Sequence, residues 1–363
     1  MSSIVLEVSL GEAIDKLTIL DIKVEKISDA RKDDCLKEYN LLYESLKPYV
    51  IQYPYHYKIL KEINYSIWNL QEHIHNDTNL THTYGKILKE NDRRFRVKAK
   101  LNHMASSNLK EQKGYAKKRA FIYTHLGLGD HFWMNGAVRY LATCYDTLYV
   151  VCKEANVAVV KEMYADDPSI MLYVIKDDSA LYPFVSKKHL IEDEGVSVYS
   201  CGYHTDKPLI YEFPHSFYDD MSLKRSLRTE YFYVQPRKTA IDLYNLVKNI
   251  STSYVLLHEQ SSQKTVDLFS NLSSELSIPL LDINKNNYPL DHKYYAVAEL
   301  VVNKPMLDYK NLIENATEIH CIESSFYCFA SHCDLSKVSK KVCYAPHDNS
   351  ANRLGIFTTG LLS

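Results

Sequence analysis

The sequence predicts an α/β protein: an all-α N-terminal domain followed by twin doubly wound, Rossmann-like lobes. Three observations carry this. Residues 1 to about 105 hold apolar side chains at helical spacing. From Ala120 the pattern changes to short continuous apolar runs alternating with amphipathic ones, as in parallel strands covered on both faces. A second series of the same kind begins near Ser253. The expected boundaries are 1–110 for the helical bundle, 118–245 for the first lobe and 246–363 for the second.

The helical region opens on Ser9-Leu-Gly-Glu12, a capping box in which Ser9 accepts from a backbone N–H and Glu12 reaches back. Ile14, Leu17, Leu20 and Val24 follow near helical spacing. A second helix is expected from about Asp33 to Leu46, with Pro48 and Pro54 bracketing a break. Two further series run through Ile59, Ile63 and Ile67, then through Ile87, Phe95 and Leu101. Four helices with short connections fit an antiparallel bundle or two hairpins.

In the first lobe, Ala120–Thr124, Thr147–Cys152 and Ile170–Ile175 read as strands, with helices near 133–144 and 155–164. Strands at 254–257, 278–282, 318–322 and 341–344 and helices near 265–276, 309–315 and 324–332 make the second lobe. The stretch between about 200 and 250 reads as less regular.

A formal net charge of −2 argues against a nucleic-acid binder, because neutralising phosphates needs a marked basic excess. From Lys86 to Arg119, however, there are 12 Lys/Arg and three acidic residues. A solvated helix face and linker is the favoured reading, and a docking surface for an anionic partner is the alternative. The N-terminus lacks a basic segment followed by an apolar one, so a cytoplasmic protein is expected. The abundance of Lys, Asn, Ile and Tyr (30 tyrosines) suits an AT-rich genome such as that of some large DNA viruses, in which case the compartment is the host cytoplasm. Eight cysteines without a CxxC pair read as reduced thiols rather than a zinc site.

Chemistry concentrates after the first α/β strand. Three of the chain's 10 glycines, Gly127, Gly129 and Gly136, fall within 10 residues there. Glycines let backbone approach a ligand, and the following helix N-terminus favours an anion. The loop is no dinucleotide fingerprint, since Phe132 occupies the place of the third glycine, and no Gly-Lys-Ser/Thr follows it. It adds Asp130 and His131 instead. Asp130 suits a general base on a hydroxyl, with His131 as partner or substitute; capping of the helix is the alternative for Asp130. His125 reads as a packed loop histidine. In the second lobe Glu323, Ser324, Ser325 and Phe326 follow a strand and open a helix, which suits a phosphate or, more simply, a capping serine pair. No Asp-Xaa-Asp occurs; Asp166-Asp167, Asp177-Asp178 and Asp219-Asp220 are all adjacent pairs, so neither a metal nor another cofactor is expected.

The run Thr124 to Arg139 (THLGLGDHFWMNGAVR) resembles the N-terminal loop of inverting GT-B glycosyltransferases, especially the heptosyltransferase-like group, over roughly residues 120–350. That resemblance implies a nucleotide-sugar donor on the second lobe, a glycan or other hydroxyl acceptor on the first, and Asp130 as the base. It further implies a donor-binding role for His258 and Glu259 at a strand end. Lys264, after Gln263, would neutralise the leaving diphosphate, with Arg228 and Arg237 in reserve and the aromatic run from Phe213 near the cleft. The N-terminal region resembles a small helical domain of unassigned activity found in bacteria and large DNA viruses. Val8 to Leu20 (VSLGEAIDKLTIL), Ile67-Trp68, Glu90 to Arg94 and Ser107 to Lys113 carry that likeness. Its polar repeats around Asp15, Lys16 and Asp92 to Arg94 suit interhelical salt bridges, and the bundle is a candidate for homo-oligomer formation. Two other readings compete with the transferase. One is an inactive nucleotide- or sugar-binding module whose helical domain mediates assembly; the weaker is a nicotinamide-linked enzyme.

Overall fold

Ser9 starts the first helix as expected: its hydroxyl accepts from the Glu12 N–H at 3.3 Å. Glu12 does not reach back to complete the box. Its carboxylate is taken by Lys98, 2.6 Å away on the fourth helix. The structure is a computed structural model that describes residues 6–74, 79–114, 116–182, 185, 192, 195–201, 214–261, 264–274, 277–345 and 355–361. Phe213, Gln263 and the last two residues of the expected 265–276 helix lie outside them.

Four helices follow one another: α1 (Leu10–Lys26), α2 (Arg31–Gln52), α3 (Pro54–His73) and α4 (Leu80–Met104). Helix α2 runs six residues past the expected end, through Pro48. Glu44 and Pro48 are exposed, so water satisfies the carbonyl that proline leaves without a ladder partner. The break falls instead at Pro54, the first residue of α3, where a missing N–H is no loss. Ile14, Leu17, Ile59, Leu60, Ile63, Val97 and Leu101 are buried in the bundle core. Gly11 lets α1 cross α4 closely: a Cβ there would stand 2.5 Å from the Lys98 carbonyl oxygen.

Much of the basic run is engaged in ion pairs, while Lys86, Lys89, Lys110, Lys117 and Arg119 stay exposed, as a solvated face requires. Arg94 grips the buried Asp15, to which Asn64 also donates at 2.8 Å. Arg93 pairs with Glu90, Lys98 with Glu12 and Glu111, and Lys113 and Lys118 with Asp92. Arg96 holds Asp146 and Lys100 holds Asp167. Residues 139–148 and 166–171 accordingly group with the helices as one compact unit. Within it Arg139 and Asp166, both 1% exposed, form a bidentate pair at 2.7 Å per bond.

The rest of the chain forms the second unit, which contains most of both sheets. The first sheet is built from β1 (Arg119–Tyr123), β2 (Thr147–Lys153), β3 (Ile170–Ile175) and β4 (Val196–Ser200), in the order β3-β2-β1-β4. Helices α5 (Leu128–Cys144) and α6 (Val157–Met163) make the crossovers that bring β1, β2 and β3 side by side. Between the sheets come α7 (His215–Asp220), α8 (Leu227–Glu230) and α9 (Lys238–Ile250). The stretch read as irregular is thus largely helical at its end; Ala240, Leu243 and Val247 are the buried stripe of α9.

The second sheet contains β5 (Val255–His258), β6 (Leu280–Asp282), β7 (Glu318–Ile322), β8 (Lys340–Ala345) and β9 (Thr358–Leu361). Its order is β6-β5-β7-β8-β9, with every pairing parallel. Helices α10 (Leu268–Ser273), α11 (Tyr295–Val301), α12 (Lys310–Asn315) and α13 (Ser325–Ala330) cover it. In each sheet the order reverses once: between β1 and β4, and between β5 and β7. Open α/β sheets bind ligands outside the carboxyl ends of the strands at that reversal. The expected α/β class with parallel sheets and a helical N-terminal region holds. Strands β4 and β9 complete the sheets, one at each far edge.

Candidate functional site

The loop after β1 is shaped by a buried leucine and a carboxylate. Leu126 is wholly buried with φ of 64°, a left-handed conformation that a branched side chain rarely adopts. Its carbonyl accepts from the Asn156 amide at 3.0 Å, which fixes the turn. Gly127 then acts as the N-cap of α5: its carbonyl accepts from the Asp130 and His131 N–H groups. Its own N–H is bonded by Asp130 Oδ2 at 3.0 Å. That is the reciprocal half of a capping box, with Asp130 at the third helical position. A Cβ on Gly127 would stand 2.7 Å from that same oxygen, so glycine admits the carboxylate.

The other two glycines solve packing problems. A Cβ on Gly129 would meet Cys328 Sγ at 2.8 Å, so glycine lets α5 abut α13. One on Gly136 would meet the Leu227 carbonyl oxygen at 2.3 Å, so glycine lets α5 pass α8. The Phe132 ring, read as an obstruction in a dinucleotide site, instead stacks on Phe329 at 4.8 Å.

Next to these contacts lies a cavity of about 800 Å³. Gly127, Leu128 and Gly129 line it after β1, together with Lys153 at the end of β2 and Asn156 beyond it. From the second sheet come His258 at the end of β5 and Gln260 after it, Asn284 after β6, and Glu323, Ser324 and Ser325 after β7. The cavity sits at the carboxyl ends of β1 and β2 in the first sheet and of β5, β6 and β7, the point of reversal, in the second. Its volume is within the range of small-molecule sites.

Asp130 flanks this cavity through Gly127. Its Oδ2 holds the loop, while Oδ1 has no hydrogen-bond partner among the described residues. Burial raises its pKa above the usual carboxylate value, against the opposing pull of His125 and the Gly127 N–H. His131 does not join it. That ring is wholly buried, neither nitrogen is hydrogen-bonded among the described residues, and burial drops its pKa to about 4. It is a neutral core histidine, away from the cavity lining.

On the other side, His258 stacks face to face on the buried Phe326, with centroids 5.0 Å apart. Burial lowers its pKa to about 4, so it offers a neutral ring rather than a cation. Ser324 Oγ lies 3.3 Å from His258 Nδ1 and accepts from the Tyr327 N–H at 3.4 Å. The simpler reading of the serine pair, an N-cap, is therefore realised, and both serines also face the cavity. Phe326 supports His258 from beneath.

Four sequence candidates fall elsewhere. Glu259 turns inward: it accepts from the Phe269 N–H and lies beside Asp282, whose pKa burial raises to about 7 with help from the Glu259 charge. Lys264 sits on a turn closed by its backbone bonds to Ser261 and is not among the lining residues. Arg228 contacts His332 at 3.3 Å and the Trp133 ring. Arg237 pairs with Glu162 and Asp308. Conversely, sequence reasoning missed Lys153, Asn156, Gln260 and Asn284. The first two stand just past a correctly read strand, where the strand-end rule pointed.

Residues 4–124 match the model of a family of unknown function (DUF6165), which covers the four helices and β1. Two solved structures are similar to 70% of this chain at 14% identity. One is the dodecameric iron-containing heptosyltransferase TibC in complex with ADP-D-beta-D-heptose, with a TM-score of 0.38. The other is the bacterial iron-containing dodecameric glycosyltransferase TibC from enterotoxigenic E. coli H10407, with a TM-score of 0.36. The chain covers 65% of the length of each. No curated protein matches it.

Proposed function

We propose that this chain is a GT-B-type glycosyltransferase that moves a sugar from a nucleotide-sugar donor to a hydroxyl acceptor, with inversion and without a metal. The observation that carries the reading is Asp130: a half-buried carboxylate with a raised pKa and one oxygen without a partner among the described residues, beside a cavity at strand ends of both sheets. Oδ1 takes the proton of the acceptor hydroxyl. The acceptor oxygen attacks the anomeric carbon as the bond from that carbon to the nucleoside diphosphate breaks on the opposite face. A base of raised pKa works nearer neutral pH, and such proton transfer contributes roughly 10²–10⁴-fold. The backbone start of α5 and the second-lobe serines are at hand for the diphosphate.

A thermal-shift screen with UDP, GDP, ADP and CMP sugars tests the reading. Stabilisation by one nucleotide class, followed by transfer that Asp130→Asn abolishes, is the expected result; no response to any donor counts against it. A second reading is favoured by the Gly127 bond, which accounts for Asp130 as a loop anchor alone. On that reading the chain is an inactive nucleotide- or sugar-binding module. It predicts donor binding with no transfer in the unsubstituted protein.

A further inference from the structure

Lys153 is the one lysine or arginine among the described residues that line the cavity. It is the last residue of β2, which places it at the carboxyl end of the strand beside β1. There it shares the cavity wall with Gly127 and Gly129 at the start of α5, a helix of 17 residues whose N-terminal dipole favours an anion. Its charge is felt on the same loop: it pulls the pKa of Asp130 down, and lowers that of His131 further.

The ammonium already has a carboxylate partner. It lies 3.0 Å from Asp178 Oδ2, on the short turn after β3. The side chains are 24% and 57% exposed, and a water-exposed pair of this kind holds weakly. A phosphate in the cavity presents more charge and more acceptor oxygens than one solvated carboxylate.

On this basis, and resting on the nucleotide-sugar reading above, we propose that Lys153 anchors a phosphate group of the bound ligand and exchanges Asp178 for it on binding. The lysine expected from the sequence to meet the leaving diphosphate, Lys264, is thereby replaced by one from the opposite lobe. A consequence follows for the base. Asp178 raises the Asp130 pKa and Lys153 lowers it. A ligand anion that engages Lys153 blunts the second influence, leaving Asp130 more basic when the donor is in place.

Calorimetric titration of the full chain with inorganic pyrophosphate, and with the donor found in the thermal-shift screen, tests the proposal. Lys153→Gln is expected to weaken both by about tenfold or more, the scale of a charge-assisted hydrogen bond. Asp178→Asn removes the competitor and is expected to tighten them, while Lys264→Gln leaves them unchanged. Thermal melting of each variant establishes that it is folded. If donor binds the unsubstituted protein and Lys153→Gln binds it equally well, the lysine assignment is overturned and the transferase reading stands. If the unsubstituted protein binds neither pyrophosphate nor any nucleotide, both fall together.

Discussion

In the proposed mechanism Asp130 divides its two oxygens between loop architecture and chemistry, and this makes its substitutions informative. Asn in its place keeps an oxygen for the Gly127 N–H but cannot take a proton. We expect Asp130→Asn to melt within a few degrees of the parent while transfer falls by roughly 10²–10⁴-fold, read from product formation at saturating donor. His131 behaves differently because its buried ring satisfies no hydrogen bond. His131→Leu is expected to retain transfer and stability, checked by the same assay and by melting; a loss of transfer without unfolding would restore it to the site. Asp282 sets a pH dependence. Its folded pKa of about 7 lies above the usual 3.8, so the folded state holds a proton that the unfolded state has released. The stabilisation is full below about pH 4 and disappears as pH rises through about 7. Urea melts at pH 5 and pH 8 are expected to show the parent losing more stability than Asp282→Asn over that interval. The sequence showed Asp130 clearly, because a carboxylate one residue into a glycine loop is a local pattern. It did not show that Glu259 turns inward, since that depends on Asp282 on a neighbouring strand.

At the scale of elements, the start of α5 is where most of the site is decided. Gly129 lets it touch α13, and a Cβ there would have to displace Cys328. Gly129→Ala is expected to destabilise by about 1–3 kcal/mol and to reduce ligand binding as well, measured by denaturation and titration. The glycines looked in the sequence like one phosphate cradle. They serve three separate contacts, and two of the partners, Cys328 and Leu227, lie far along the chain where no local pattern reveals them. Long apolar runs were legible: Ile170–Ile175 and Glu318–Ile322 form strands over the span read from their residues. Short edge strands were not. Val196–Ser200 and Thr358–Leu361 lack a continuous apolar run, and pairing with an already built sheet makes them strands. Helix α9 is harder to read: Ala240, Leu243 and Val247 recur at helical spacing, but they form a sparse stripe in a stretch whose start is irregular.

At the scale of the molecule, the basic run shows how composition misleads. Its excess of positive charge is visible in the sequence, but the acceptors that hold Arg94, Arg96, Lys98 and Lys100 lie on other elements. Arg139 and Asp166 are the most buried of the pairs in the helical unit. Asp166→Asn strands a buried guanidinium and is expected to cost about 3–5 kcal/mol in a urea melt, far more than loss of an exposed pair such as Lys16 and Glu38. The twin-sheet organisation was readable from repeated apolar runs, and so was the rule that ligands gather at strand ends. The lining of the cavity was only half readable, because it assembles single residues from five strand ends. The most direct test of the account is donor binding and turnover by the full chain, with EDTA present, compared with Asp130→Asn. One class of nucleotide sugar is expected to stabilise both proteins, and only the parent is expected to transfer the sugar. Equal transfer by Asp130→Asn, or transfer that EDTA abolishes, would contradict it.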